Sequence, residues 1–109
     1  MGFFDFAKKS GRTANINAAS KNPPESAVFL DVRSAQEYAL GHIPGSVNVP
    51  LMAIRRIGAK VPDKSTPLFV YCQSGARSHK AAIYLTDAGY TNVTDIGGLN
   101  SYRGPLEKA

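Results

Sequence analysis

Residues 68 to 78 read Leu-Phe-Val-Tyr-Cys-Gln-Ser-Gly-Ala-Arg-Ser and contain the chain's single cysteine, Cys72. An apolar run ends at the cysteine, Gly75 follows, and a helix-like stretch opens near Ala76. A thiol at the exit of a buried strand, facing a loop that feeds a helix N-terminus, sits among backbone N–H groups aimed the same way. Those donors and the helix dipole favour anions, a thiolate among them. The pattern points to a cysteine that works as a nucleophile.

Composition narrows the alternatives. The chain has 109 residues, which suits one domain with a core sufficient without covalent staples. One cysteine excludes an intramolecular disulfide, a cysteine-based metal cluster and a two-thiol redox centre. His42 and His79 lack the spacing of a metal pair, so no metal and no organic cofactor is expected. The net charge of +5 is uneven. Residues 1–24 carry +3 and residues 25–109 only +2, with no basic run and no aromatic stripe for nucleic acid. No stretch approaches the ~20 apolar residues of a membrane span. The opening Met-Gly-Phe-Phe-Asp-Phe-Ala-Lys-Lys lacks a signal-peptide pattern and matches myristoylation poorly. The expectation is a cytoplasmic monomer.

The elements follow from punctuation and period. Residues 1–14 read as a leader, flexible or with a short amphipathic helix at 3–9, and residues 15–109 as the domain. No clear strand or helix is visible before Ala27. Ala27 to Val32 reads as a buried strand, and Ser34 with Glu37 as a capping box opening a short helix. Gly41 to Gly45 is a turn cluster, and Val47 to Val49 a short strand stopped by Pro50. Leu51, Ile54 and Ile57 place a helix over 51–60. Leu68 to Cys72 is the central strand, Ala76 to Ala88 the main helix with Gly89 as its stop, and Val93 to Ile96 a last strand. Gly97-Gly98 reads as a sharp turn before a short helix around 99–103. Short apolar strands alternating with helices imply an α/β fold with a mostly parallel sheet. Such sheets bind ligands beyond the carboxyl ends of their strands, where Cys72 falls.

Together these residues resemble a rhodanese domain. Leu30-Asp31-Val32-Arg33, Glu37-Tyr38, Gly41-His42-Ile43-Pro44-Gly45-Ser46 and Val49-Pro50 are similar to its first half. Tyr71 to Ser78 resembles its active-site loop, and Ala88-Gly89-Tyr90 and Gly97-Gly98-Leu99 its closing segments. The resemblance covers roughly residues 15–107 and implies a five-stranded parallel sheet flanked by helices. It also implies sulfurtransferase chemistry. The cysteine takes a sulfane sulfur from a donor such as thiosulfate, holds it as a persulfide, and passes it to cyanide, a thiol or a protein acceptor. Many relatives carry a tryptophan in the closing segment; this chain has none, and Tyr102 is its expected replacement.

Roles follow residue by residue. Cys72 is the expected persulfide carrier. Gly75 lets the loop turn so that N–H groups converge on sulfur. Arg77 closes the loop and binds an anionic donor through its fork, with a structural role on loop carbonyls as the alternative. Gln73, Ser74 and Ala76 wall the pocket without adding charge. Ser78 bonds inside the loop, and His79 is a surface residue. Asp31 organises the neighbouring backbone. Arg33 and Glu37, four apart, are expected to pair. His42 is a hydrogen-bonding turn residue.

Three other readings compete. Phosphatases and arsenate reductases of related fold also use cysteine and arginine on one loop, typically with five residues between them. Here four intervene, Gln73 to Ala76, which leaves a smaller cradle. The second is a persulfide shuttle with little turnover on small molecules. The third is a partner-binding module, against which the presence of the cysteine speaks.

Overall fold

A computed structural model describes residues 11–109. The expected leader helix at 3–9 lies outside the described residues. Five parallel strands form one sheet: β1 (Arg12–Thr13), β2 (Val28–Asp31), β3 (Val47–Asn48), β4 (Leu68–Cys72) and β5 (Val93–Gly98), in the spatial order β1-β5-β4-β2-β3. Four helices connect and flank them: α1 (Ile16–Lys21), α2 (Ala35–Leu40), α3 (Ile57–Lys60) and α4 (Ala76–Asp87). The α/β class and parallel sheet expected from the alternation of elements are present.

β4 is central because its residues are apolar on both faces. Leu68, Val70 and Cys72 join a core with Leu30, Val32, Ala81, Ala82 and Leu85, on the side of α4. Tyr71, with Phe69 beside it, joins Ile16, Ile43 and Ile96 on the other side, with Phe29, Leu99 and Tyr102 against them. The two-residue period of a strand thus divides one segment between two half-cores.

Some local readings are corrected. An edge strand and a helix do precede Ala27. β1 pairs Arg12 with Thr94 and Thr13 with Asp95, and α1 is capped by Asn15, whose side chain accepts from the N–H groups of Asn17 and Ala18. Both escape a pattern search because β1 is two exposed residues and α1 buries Ile16 alone. The segment 51–60 is not one helix. Leu51–Arg56 is a 3-10 helix kinked at Ala53, followed by α3. Apolar residues three apart fit a helix of three residues per turn better than one of 3.6. Gly97-Gly98 forms the end of β5 instead of a free turn, beyond a register shift opposite Val70 and Tyr71.

Candidate active site

The alternation along β4 decides where the thiol points: into the half-core beneath α4, fully buried. The chain then loops through Gln73, Ser74 and Gly75. Gly75 has φ +106°, a left-handed conformation that costs glycine little. That turn aims the Gly75 N–H back at Cys72, donating to Sγ at 3.0 Å. α4 begins at the next residue with no side chain capping it, so the cysteine sulfur lies beside an uncapped helix N-terminus.

Neighbouring elements hold the loop from three directions. On the β5 side, Asn100 N–H donates to the Gln73 carbonyl at 3.1 Å, and Gln73 Nε2 donates to Asn100 Oδ1 at 2.6 Å. A Cβ at Gly98 would collide with the backbone of Gln73 and Ser74, so the loop rests directly on a bare glycine. Beneath the loop, the buried Ser78 hydroxyl lies 2.8 Å from Asp95 Oδ1 and 3.0 Å from the Gly75 carbonyl, one proton serving two acceptors. Asp95 Oδ1 also accepts from Gly97 N–H at 3.0 Å, which ties the loop to the end of β5.

On the β2 side two ion pairs close the arrangement. Arg33 meets Asp31 through Nε and Nη2, the shortest contact being 2.8 Å, with both side chains buried. Its remaining donors reach the Gly41 carbonyl at 2.6 Å and Gln73 Oε1 at 3.0 Å. Burial opposes the Arg33 charge, and the hydrogen bond and charge of Asp31 more than offset that, raising its pKa. Arg77 donates from Nη1 to Glu37 Oε1 at 2.7 Å and from Nη2 to Glu37 Oε2 at 3.0 Å. Glu37 is fixed in turn by the capping box. Its Oε1 accepts from Ser34 N–H at 3.0 Å, and Ser34 Oγ accepts from Glu37 N–H at 3.1 Å. The Arg77 hydrogen bonds hold the Glu37 carboxyl well below its ordinary range, at about 2, against a smaller opposing effect of burial.

A buried cysteine at the carboxyl end of a central parallel strand, in a loop closed by arginine, has counterparts among known proteins. The chain matches the Rhodanese-like domain family over residues 15–104. It belongs to the rhodanese family. Thiosulfate sulfurtransferase PspE of Escherichia coli is 38% identical over 81 residues, covering 73% of this chain and 78% of PspE. The chloroplastic thiosulfate sulfurtransferase 16 of Arabidopsis thaliana is 42% identical over 86 residues, covering 68% of this chain and 72% of that protein. Among solved structures, a rhodanese with anions from E. coli superposes with a TM-score of 0.71 at 37% identity, covering 76% of this chain and 99% of that one.

In this rhodanese domain the residues singled out from the sequence converge around one loop. Cys72, Gln73, Ser74, Gly75, Ala76 and Arg77 form it, Ser78 anchors it from below, and Arg33 reaches it through Gln73. The expected pairing of Arg33 with Glu37 does not occur. Asp31, two residues away on the same buried turn, takes the Arg33 guanidinium, which leaves Glu37 for Arg77. Asp31 organises the backbone as expected, accepting the Arg33 N–H at 2.9 Å. His42 Nδ1 donates to the Tyr38 carbonyl at 2.7 Å and its ring stacks on the Tyr38 ring, a structural role in the turn. His79 is exposed.

Asp95, Asn100 and Asn48 were not foreseen. Asn48 Nδ2 donates to the carbonyls of Asp31 and Arg33, bracing the end of β2. Asp95 carried a signal, since a carboxylate in the short strand between Val93 and Ile96 requires a partner if it is buried. Asn48, at the end of β3, and Asn100, in the short 3-10 helix Leu99–Ser101 that follows β5, carried none.

Proposed function

We propose that this rhodanese domain transfers sulfane sulfur through a persulfide on Cys72. The observation that carries the reading is the Cys72 sulfur at the carboxyl end of β4 receiving the Gly75 N–H, in a chain whose relatives include thiosulfate sulfurtransferases. In the first half-reaction the Cys72 thiolate attacks the outer sulfur of a donor. With thiosulfate, the S–S bond breaks, sulfite leaves with the bonding pair, and Cys72 keeps a persulfide anion. In the second, cyanide or a thiolate attacks the outer persulfide sulfur, and the Cys72 thiolate is restored. Splitting the transfer lets donor and acceptor react in turn at one sulfur.

Each loop residue has a part in this reading. The Gly75 N–H stabilises the negative sulfur, and the uncapped N-terminus of α4 adds its dipole. Gln73, Ser74 and Ala76 form the wall against which the outer sulfur rests. Arg77 keeps N–H donors beyond the two that Glu37 uses, and these can hydrogen-bond a donor group. Because Cys72 is buried, the loop must shift to admit the donor sulfur. A reducing compartment, the cytoplasm in this reading, keeps the lone thiol available.

The test is the intact mass of the protein after incubation with thiosulfate or a persulfide, before and after cyanide, beside Cys72→Ser. The expected result is a gain of one sulfur on the wild type, removed by cyanide with release of thiocyanate, and no gain on Cys72→Ser. Loading that discharges only to a protein acceptor would make the domain a shuttle. Loading that persists in Cys72→Ser, or no loading from any donor, refutes the mechanism.

A further inference from the structure

We propose that Glu37 sets the donor selectivity of this site. By holding a carboxylate against Arg77, it favours persulfide donors of little charge over the thiosulfate dianion. The inference rests on the sulfurtransferase reading of Cys72.

The charge pattern around the loop carries it. Between Gln73 and Arg77 the one cation is Arg77, and Glu37 meets it at 2.7 Å. The other guanidinium touching the loop, Arg33, is met by Asp31 at 2.8 Å. Among the described residues, both guanidinium groups that touch the loop are therefore neutralised by carboxylates of the chain itself. Lys80 and His79, further along α4, are exposed to solvent, where screening weakens their reach. A dianionic donor approaching a Cys72 thiolate would meet a loop with no net positive charge to offset the repulsion.

Glu37 is placed for this role by more than Arg77. The Ser34 N–H holds the same Oε1 that receives Arg77 Nη1, so the carboxylate is anchored to the start of α2. It is ionised at neutral pH, and the Cys72 charge adds a smaller attraction on Arg77. Arg77 thus offers hydrogen bonds to a donor while its net charge is already met. A hydropersulfide suits such a site. The Cys72 thiolate bonds to its outer sulfur, the donor S–S bond breaks, and the donor leaves as a thiolate that takes up the proton formerly on the outer sulfur.

The test compares the rate of Cys72 loading, by intact mass, from the thiosulfate dianion and from 2-hydroxyethyl hydropersulfide, which carries at most one negative charge. It uses the wild type, Glu37→Gln and Glu37→Asp. Glutamine at this position still completes a capping box, so Glu37→Gln removes charge and keeps the helix start. In Glu37→Gln the thiosulfate rate is expected to rise about tenfold and become salt-sensitive, while the hydropersulfide rate stays within about twofold. Glu37→Asp, which keeps the charge, is expected to retain the wild-type ratio of the two rates even where both fall. A ratio unchanged in Glu37→Gln, with both rates shifting together, would reduce Glu37 to a structural residue and overturn the proposal, leaving the sulfurtransferase reading intact. No loading of wild-type Cys72 by either donor would overturn that reading, and this proposal with it.

Discussion

Gly98, at the end of β5, lies directly against the backbone of Gln73, the residue that follows Cys72. A Cβ at Gly98 would overlap the Gln73 carbonyl and the Ser74 backbone. The neighbouring Asn100 N–H donates to that same Gln73 carbonyl. Gly98 is therefore the floor of the Cys72 loop, and its lack of a side chain decides how deep the loop can sit.

Gly98→Ala is expected to lift the loop off β5. Overpacking of this kind costs about 1–3 kcal/mol. The conformation of Gly98, φ −115°, is open to alanine, so the cost comes from contact and not from backbone strain. Urea denaturation should show the loss, and the rate of Cys72 loading should fall with it. Gly45→Ala is a useful contrast, because there φ is +78° and no atom lies within 4 Å of the added Cβ, so only strain is introduced. A Gly98→Ala protein with wild-type stability and loading would show that the loop does not depend on this contact.

Arg33→Met is expected to cost more, because it strands Asp31 in the core. Losing one partner of a buried pair costs about 3–5 kcal/mol, most of it from the uncompensated charge. Arg33→Met also releases Gln73 and the Gly41 carbonyl. The double variant Asp31→Leu with Arg33→Met should recover a large part of the loss, since no buried charge is left unpaired. Chemical denaturation of the two single variants and the double variant measures the coupling. Additive losses would show that the two residues act independently.

What was legible in the sequence was what is local. Ser34 with Glu37 declares its helix within four residues, the run Leu68 to Cys72 declares its strand, and Gly89 stops α4 with φ +104°. The make-up of the loop was legible for the same reason, because Cys72, Gly75 and Arg77 are neighbours in the chain. The electrostatics were not. Glu37 finds Arg77 across 40 residues, and Gln73 finds Asn100 across 27. The spacing of Arg33 and Glu37 favoured the wrong partner because a helix-surface rule does not register a buried carboxylate two residues away. β1 depends wholly on β5, some 80 residues on, and has no apolar pattern of its own.

Ser78→Ala should separate loop anchoring from chemistry. The hydroxyl is buried between Asp95 and the Gly75 carbonyl, and its removal leaves both acceptors short of a donor. The expected cost is about 1–3 kcal/mol. Ser78→Thr, which keeps the hydroxyl and adds a methyl, tests whether the loss in Ser78→Ala follows the hydrogen bond. In hydrogen exchange the amides of Gly75 and Gly97 should lose protection in Ser78→Ala before those of β4. Uniform loss across the sheet would mean that the serine serves general packing only.

The Glu37–Arg77 pair also predicts how stability depends on acid. The Glu37 carboxyl falls from an ordinary 4.5 to about 2 in the folded chain, chiefly through Arg77. Between those values the unfolded chain binds more protons than the folded one, so stability rises with pH there. The contribution is complete above about 4.5 and disappears as pH falls through about 2. Both side chains are about one-third exposed, at 38% and 34%, so solvent screening limits the pair to about 1 kcal/mol or less. Urea denaturation of wild type and Glu37→Gln should therefore show a small gap at neutral pH that closes on acidification. Arg77 stays charged throughout, so the closing follows the carboxylate alone. A gap that persists unchanged into strong acid would assign the difference to glutamine packing or to the capping box instead of to the ion pair.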